Sequence, residues 1–218
     1  MMFESRYGQS RIVKVDDEQY VEKCYTSVFG IKWYFISSFF WNYPYVADPK
    51  ERFYREMDFF LEKWEKNVYV PKIVDIDTKT LCIIREFVSG EEVNERNIEI
   101  VAKGIREIHE EGFVLGDTKI SNFLLTNDKK LAIIDAEQSM KSNNISYKAW
   151  DLLVFFLFLS YKLVNLDSFA EASKIFLDEY NPDSSLVKEF FNIKNINLMS
   201  VYPPLHLFTL KNLMTNFY

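Results

Sequence analysis

Apolar and polar residues alternate along the first quarter of the chain. Residues 11–15 (RIVKV) and 19–25 (QYVEKCY) each read as a strand, and polar Asp16, Asp17 and Glu18 between them predict a hairpin. The period changes at residue 50. There KERFYREMDFFLEKWEKN places Phe53, Met57, Phe60, Leu61 and Trp64 on one face of a helix, and Pro49 suits its first turn. Strands over 70–75 and 81–87 follow, punctuated by Ser89 and Gly90. The pattern then predicts a helix over 97–111, closed by Gly112 at a C-terminal cap position. A strand over 123–125, a turn over 127–130 and a strand over 131–135 (LAIID) come next. From Tyr147 onward the periodicity is helical, with breaks at Asn181-Pro182 and Pro203-Pro204.

This order predicts an α+β fold of two lobes with a cleft between them. Residues 1–88 make a small β-rich N-lobe with one helix, interrupted by an aromatic insertion over 28–46, and residues 89–218 make a mainly helical C-lobe. At 218 residues, 48% hydrophobic and 17% aromatic, the chain has ample material for a core. A net charge of −6 argues against direct nucleic-acid binding, which calls for a basic footprint. Cys24 and Cys82 lie in apolar runs and read as two buried, reduced thiols; with no Cys/His cluster beside them, nothing points to zinc. The apolar run 152–164 is too short to span a bilayer and contains Lys162, so it reads as a core helix. The N-terminal residues lack the features of a signal peptide, and a cytoplasmic location is the default expectation.

Candidate chemistry concentrates in one stretch, Gly116-Asp117-Thr118-Lys119-Ile120-Ser121-Asn122, followed by a predicted hairpin that ends at Asp135. Phosphoryl transfer needs a carboxylate at the attacking hydroxyl, oxygen ligands for a hard cation and a positive charge near the phosphates. A loop, a hairpin and a second loop return the chain on itself, so that Asp117, Asn122 and Asp135 can converge.

The spacing resembles the protein-kinase catalytic loop and its metal-binding aspartate. The short form G-D-x-x-x-S-N looks most like atypical members of that superfamily: the kinase of the KEOPS tRNA-modification complex, RIO-type kinases and lipopolysaccharide core heptose kinases. The resemblance implies Asp117 as catalytic carboxylate, Lys119 at the transferred phosphate, and Asn122 and Asp135 as magnesium ligands. It also implies Lys23 as the phosphate-pairing strand lysine and Glu56, in preference to Glu51 or Glu62, as the helix glutamate that orients it. Gly8 would stand in for the phosphate-covering loop, and backbone groups near Glu86 and Val88 would meet adenine. Asp151 matches a C-lobe helix aspartate. The chain departs from the pattern at Leu115, where a histidine is usual, and at Asp135-Ala136-Glu137, where D-F-G is usual. IIDAEQS is closer to the RIO pattern, in which a glutamine lies near Gln138, and phosphate passing to Asp135 itself stays open. Little room for an activation segment remains between Asp135 and Asp151. His109 and His206 are given no catalytic part.

The expected function is an ATP- and Mg2+-dependent kinase, first of all an atypical serine/threonine protein kinase. The alternatives are a sugar or glycolipid kinase of the heptose-kinase type and a nucleotide-binding pseudokinase scaffold. The insertion 28–46 carries eight aromatic side chains from Trp33 to Tyr45 and little charge beside Lys32. It packs within the small lobe or against a protein partner, or it docks at a membrane surface, where aromatics favour the headgroup zone.

Overall fold

The computed structural model describes residues 9–26 and 28–217; Gly8 lies outside them. In chain order the strands and helices are β1 (Ser10–Val15), β2 (Glu18–Cys24), α1 (Lys32–Phe39), α2 (Pro49–Phe60), β3 (Val68–Tyr69), β4 (Ile73–Asp77) and β5 (Cys82–Glu86). Then come β6 (Glu91–Glu92), α3 (Ile98–Glu110), β7 (Phe113–Val114), β8 (Phe123–Leu125), β9 (Leu131–Ile133) and β10 (Met140–Lys141). Helices α4 (Ile145–Lys162), α5 (Leu166–Tyr180), α6 (Ser184–Phe190), α7 (Ile196–Met199) and α8 (Pro204–Met214) complete the chain. The fold is α+β and two-lobed, with a β-rich N-terminal region and a mainly helical C-terminal part, as in protein kinases.

The N-terminal sheet is antiparallel, in the order β1-β2-β5-β4. A second sheet, β3-β9-β8-β6, pairs β3 in parallel with β9, so the segment just after α2 is sewn into the C-terminal part. The expected strand over 70–75 begins only at Ile73, as β4, while β3 just before it lies in the other sheet. Helix α2 begins as the sequence predicts: Asp48 caps it by accepting from the Glu51 amide at 2.9 Å, and Pro49 occupies the first turn. It stops at Phe60, earlier than the periodicity suggests. Leu61 is exposed, and Trp64 folds back so that its Nε1 donates to Phe59 O at 3.0 Å while its ring meets Phe59 and Phe113.

Helix α4 is buried on most of its faces, from Ala149 to Leu157, and is the core helix expected of that apolar run. Among the described residues no helix is long and apolar enough to cross a membrane. Phe155 and Phe156 pack against Phe176 of α5 at ring-centroid distances of 4.7 and 5.0 Å. Each such fully buried ring contributes roughly 1.5–3 kcal/mol by leaving water. Asn181 ends α5 in the left-handed conformation, and Pro182 prevents its continuation.

The cysteines correct the sequence reading. The β2–β5 register sets Cys24 opposite Cys82 with Cα atoms 4.2 Å apart, and they form a disulfide. Both residues are half-buried, not sealed in the core. Alternation reveals that each run is a strand, but it cannot reveal which strands pair or in what register. Closing a loop across 58 positions restricts the unfolded chain, so reduction should cost about 2–4 kcal/mol of stability. Urea unfolding with and without a phosphine reductant measures this; two titratable thiols in the untreated protein would contradict the pairing.

Candidate active site

The site is built from two groups of residues. The first surrounds the buried ammonium of Lys23, on β2. Its Nζ pairs with the Glu56 carboxylate from α2, with Asp135 Oδ1 at 2.9 Å and with Glu137 Oε2 at 3.6 Å. Glu56, Asp135 and Glu137 form a tight acidic cluster, and the cation it holds is Lys23 itself. Of the three helix glutamates weighed from sequence, only Glu56 turns inward. Glu51 pairs with Arg55 at the surface, and Glu62 pairs with Lys141.

The electrostatics follow from burial and pairing. Burial alone would lower the Lys23 pKa, but Asp135 and Glu56 outweigh it and hold the ammonium well above its ordinary range. Burial pushes Glu56 up to about 7 against the pull of Lys23. Asp135 goes the other way: desolvation works to raise it, yet Lys23 and then Lys119 hold its carboxyl well below the usual range.

Glu137, which the sequence reading gave no role, is a second hub. It is 1% exposed and accepts from Trp33 Nε1 at 2.7 Å, Arg52 Nη1 at 2.9 Å and Gln9 Nε2 at 2.8 Å. Arg52 is fully buried and also donates to Tyr25 O at 2.7 Å. A signal for it exists in the sequence. Arg52 and Glu56 lie four apart and flank Phe53 and Met57, so two charges sit on the apolar face of a helix.

The second group is the candidate catalytic loop, between β7 and β8. Gly116 has φ +73°, and a Cβ there would come within 2.3 Å of the Tyr43 ring, so only glycine fits. The buried Asp151 carboxylate, from α4, accepts from the amides of Leu115 at 2.7 Å and Gly116 at 2.6 Å. Thr118 Oγ1 donates to Asp151 O at 2.6 Å. His109 lies 3.0 Å from Asp151 through Nε2 and 2.6 Å from the Tyr180 hydroxyl through Nδ1. It thus backs the residue that holds the loop.

Within the loop, Lys119 Nζ pairs with Asp117 Oδ2 at 2.9 Å, and Asn122 Nδ2 donates to Asp117 O at 2.8 Å. Desolvation raises the Asp117 carboxyl against the pull of Lys119, and the nearby Asp135 charge adds to the rise. Burial works to lower the Lys119 ammonium, but Asp117 and then Asp135 outweigh it and raise it. The two groups are therefore electrostatic neighbours, with Asp135 between Lys23 and the loop.

Lys23, Glu56, Asp117, Lys119, Asn122 and Asp135 are all brought into this region. Glu86 and Val88 lie at and beyond the end of β5. The Glu86 amide donates to Lys72 O at 2.9 Å, and its carboxylate accepts from Tyr69 Oη at 2.6 Å, so of the Glu86 backbone only the carbonyl could meet a base. The donor set of Asn122 and Asp135 is hard oxygen and suits Mg2+. Asn122 commits its amide nitrogen to Asp117 O, which leaves Oδ1 as its ligand atom. Replacing Glu137 by Gln leaves the Arg52 guanidinium buried without its counter-charge. The expected cost is about 3–5 kcal/mol in urea unfolding, and a loss below about 1 kcal/mol would contradict the hub.

No family model matches the chain. Over 91 residues it is 32% identical to the KEOPS complex subunit Bud32 of Pyrococcus abyssi (strain GE5 / Orsay), a match covering 37% of this chain and 41% of that protein. The chain thus matches about two fifths of its relative's length. Joined to a two-lobed α+β fold, this partial likeness supports a kinase-like relationship and nothing narrower.

Proposed function

We propose that the chain is an ATP- and Mg2+-dependent phosphotransferase acting on a hydroxyl group. The observation that carries this reading is Lys23, whose one ammonium pairs with Glu56 and Asp135 across 33 and 112 positions of sequence. A buried lysine oriented in this way, beside a loop bearing Asp117 and Lys119, is suited to binding a polyphosphate and positioning a nucleophile.

In this reading Glu56 holds Lys23 against the nucleotide phosphates, while the backbone near Glu86 and Val88 faces the adenine. Asn122 and Asp135 would hold Mg2+, which when bound supplies positive charge to the phosphate oxygens. Asp117 takes the proton of the acceptor hydroxyl as its oxygen bonds to the γ-phosphorus. The bridging β–γ P–O bond breaks, and ADP leaves with the electron pair. Lys119, already 2.9 Å from Asp117, contacts the phosphoryl group in transit. The acceptor we assign first is a protein serine or threonine hydroxyl, with a sugar or glycolipid hydroxyl as its rival. A protein partner suits the same reading, because the matched relative is a subunit of a complex. The exposed Tyr34, Phe35 and Trp41 of the insertion offer it a surface.

ATP turnover and phosphoryl transfer by wild type, Asp117→Ala and Asp135→Ala test the assignment. A positioned general base contributes roughly 10²- to 10⁴-fold, so Asp117→Ala should fall by at least about 10², and Asp135→Ala, which loses a metal ligand, should fall as well. Equal signals from all three would overturn it, and binding of ATP without turnover in wild type would leave a scaffold instead. Generic protein substrates assayed beside sugar acceptors separate the two classes of hydroxyl.

A further inference from the structure

Protein kinases need something to hold the catalytic loop and the metal-binding loop in register. This chain has almost no segment left for that task, because only eight residues separate Asp135 from Asn144, the cap of α4. What covers both loops is the aromatic insertion. Trp33 Nε1 donates to Glu137, and Tyr43 Oη donates to Gln138 O at 2.6 Å. The Gln138 side chain forms a reciprocal pair with the Val46 backbone, 2.9 Å in each direction. On the other loop, Tyr45 Oη donates to Gly116 O at 2.6 Å and accepts from Trp150 Nε1 at 2.8 Å. The Tyr45 ring stacks on Trp33 with centroids 5.3 Å apart, so the contacts to the two loops belong to one packed unit.

The Gly116 contact matters most. Side chains hold the backbone around Asp117 at the Leu115 and Gly116 amides, through Asp151, and at the Asp117 carbonyl, through Asn122. The Gly116 carbonyl is the bond that comes from the N-terminal part. It lies immediately before Asp117, on a residue with φ +73°, where glycine has little steric resistance to reorientation. Freed from the hydroxyl, that peptide can turn and carry the Asp117 carboxylate with it.

We propose that the insertion is a built-in clamp that does the work of an activation segment, and that Tyr45 is a positioning residue which fixes Asp117 through the Gly116 carbonyl. The proposal rests on the phosphotransfer reading for its kinetic consequence, although the clamp itself is a property of the free protein.

Tyr45→Phe tests it, since one hydroxyl is lost and the stacked ring stays. Expected are a fall in kcat of roughly 10- to 100-fold and an affinity for Mg·ADP, measured by calorimetry, that stays within about threefold of wild type. Amide exchange in residues 113–124 should quicken about tenfold, while exchange within α3 stays unchanged. Trp150→Phe, which keeps the Tyr45–Gly116 bond, should show the same pattern at smaller size and guards against misfolding of the first variant. Wild-type kcat, or wild-type exchange in 113–124, overturns the clamp. A uniform rise in exchange with a matching loss of Mg·ADP affinity also overturns it, by showing a merely structural role. If wild type turns over no acceptor, the phosphotransfer reading fails, and the exchange measurement alone decides the clamp.

Discussion

A lysine ammonium cannot be buried without counter-charge, and the fold is arranged around that constraint at Lys23. Desolvating one such ion costs several kcal/mol, which excellent geometry and multiple partners must offset. Here the partners come from distant places: Glu56 from α2, Asp135 and Glu137 from beyond β9. Three carboxylates around one ammonium would leave excess negative charge, and Arg52, from the same helix that carries Glu56, and Lys32, 3.8 Å from Glu137, offset it. The cluster therefore fixes α2 against the N-terminal sheet and both against the loop after β9. Removing Lys23 strands the buried Glu56 carboxylate, and removing Glu137 strands the buried Arg52 guanidinium.

The loop that carries Asp117 depends on a separate anchor. Asp151 spends both carboxylate oxygens on consecutive loop amides, and His109 and Tyr180 buttress it from α3 and α5. Helix packing in the C-terminal part thereby sets the position of Asp117. The two anchors meet at Asp135, which pairs with Lys23 and is felt by both Asp117 and Lys119. The aromatic insertion ties them together a second time, through Glu137 on one side and Gly116 on the other.

Much of this could be read from the chain, for identifiable reasons. Period-2 alternation marked β1 and β2, an apolar run marked β5, and a capped, amphipathic pattern marked the start of α2. The spacing from Gly116 to Asp135 singled out the loop residues, since a loop, a hairpin and a second loop bring nearby sequence together. Long-range pairing was harder. Strand register made the Cys24–Cys82 disulfide, and alternation carries no register. Glu137 was overlooked because its partners Trp33, Arg52 and Gln9 lie 85 to 128 positions away, and only folding makes them neighbours. The early end of α2 was decided by the packing of Trp64 on Phe59 and Phe113, a tertiary contact that helical periodicity cannot anticipate.

In the proposed function the Lys23 cluster and the Asp117 loop form a single polyphosphate site. A crystal structure with Mg2+ and a non-hydrolysable ATP analogue tests this most directly. The expected result is phosphates in contact with Lys23, and metal on Asn122 and Asp135, with Asp117 facing the terminal phosphate. Nucleotide bound elsewhere, with the Lys23 pairs undisturbed and no metal on Asp135, would contradict it.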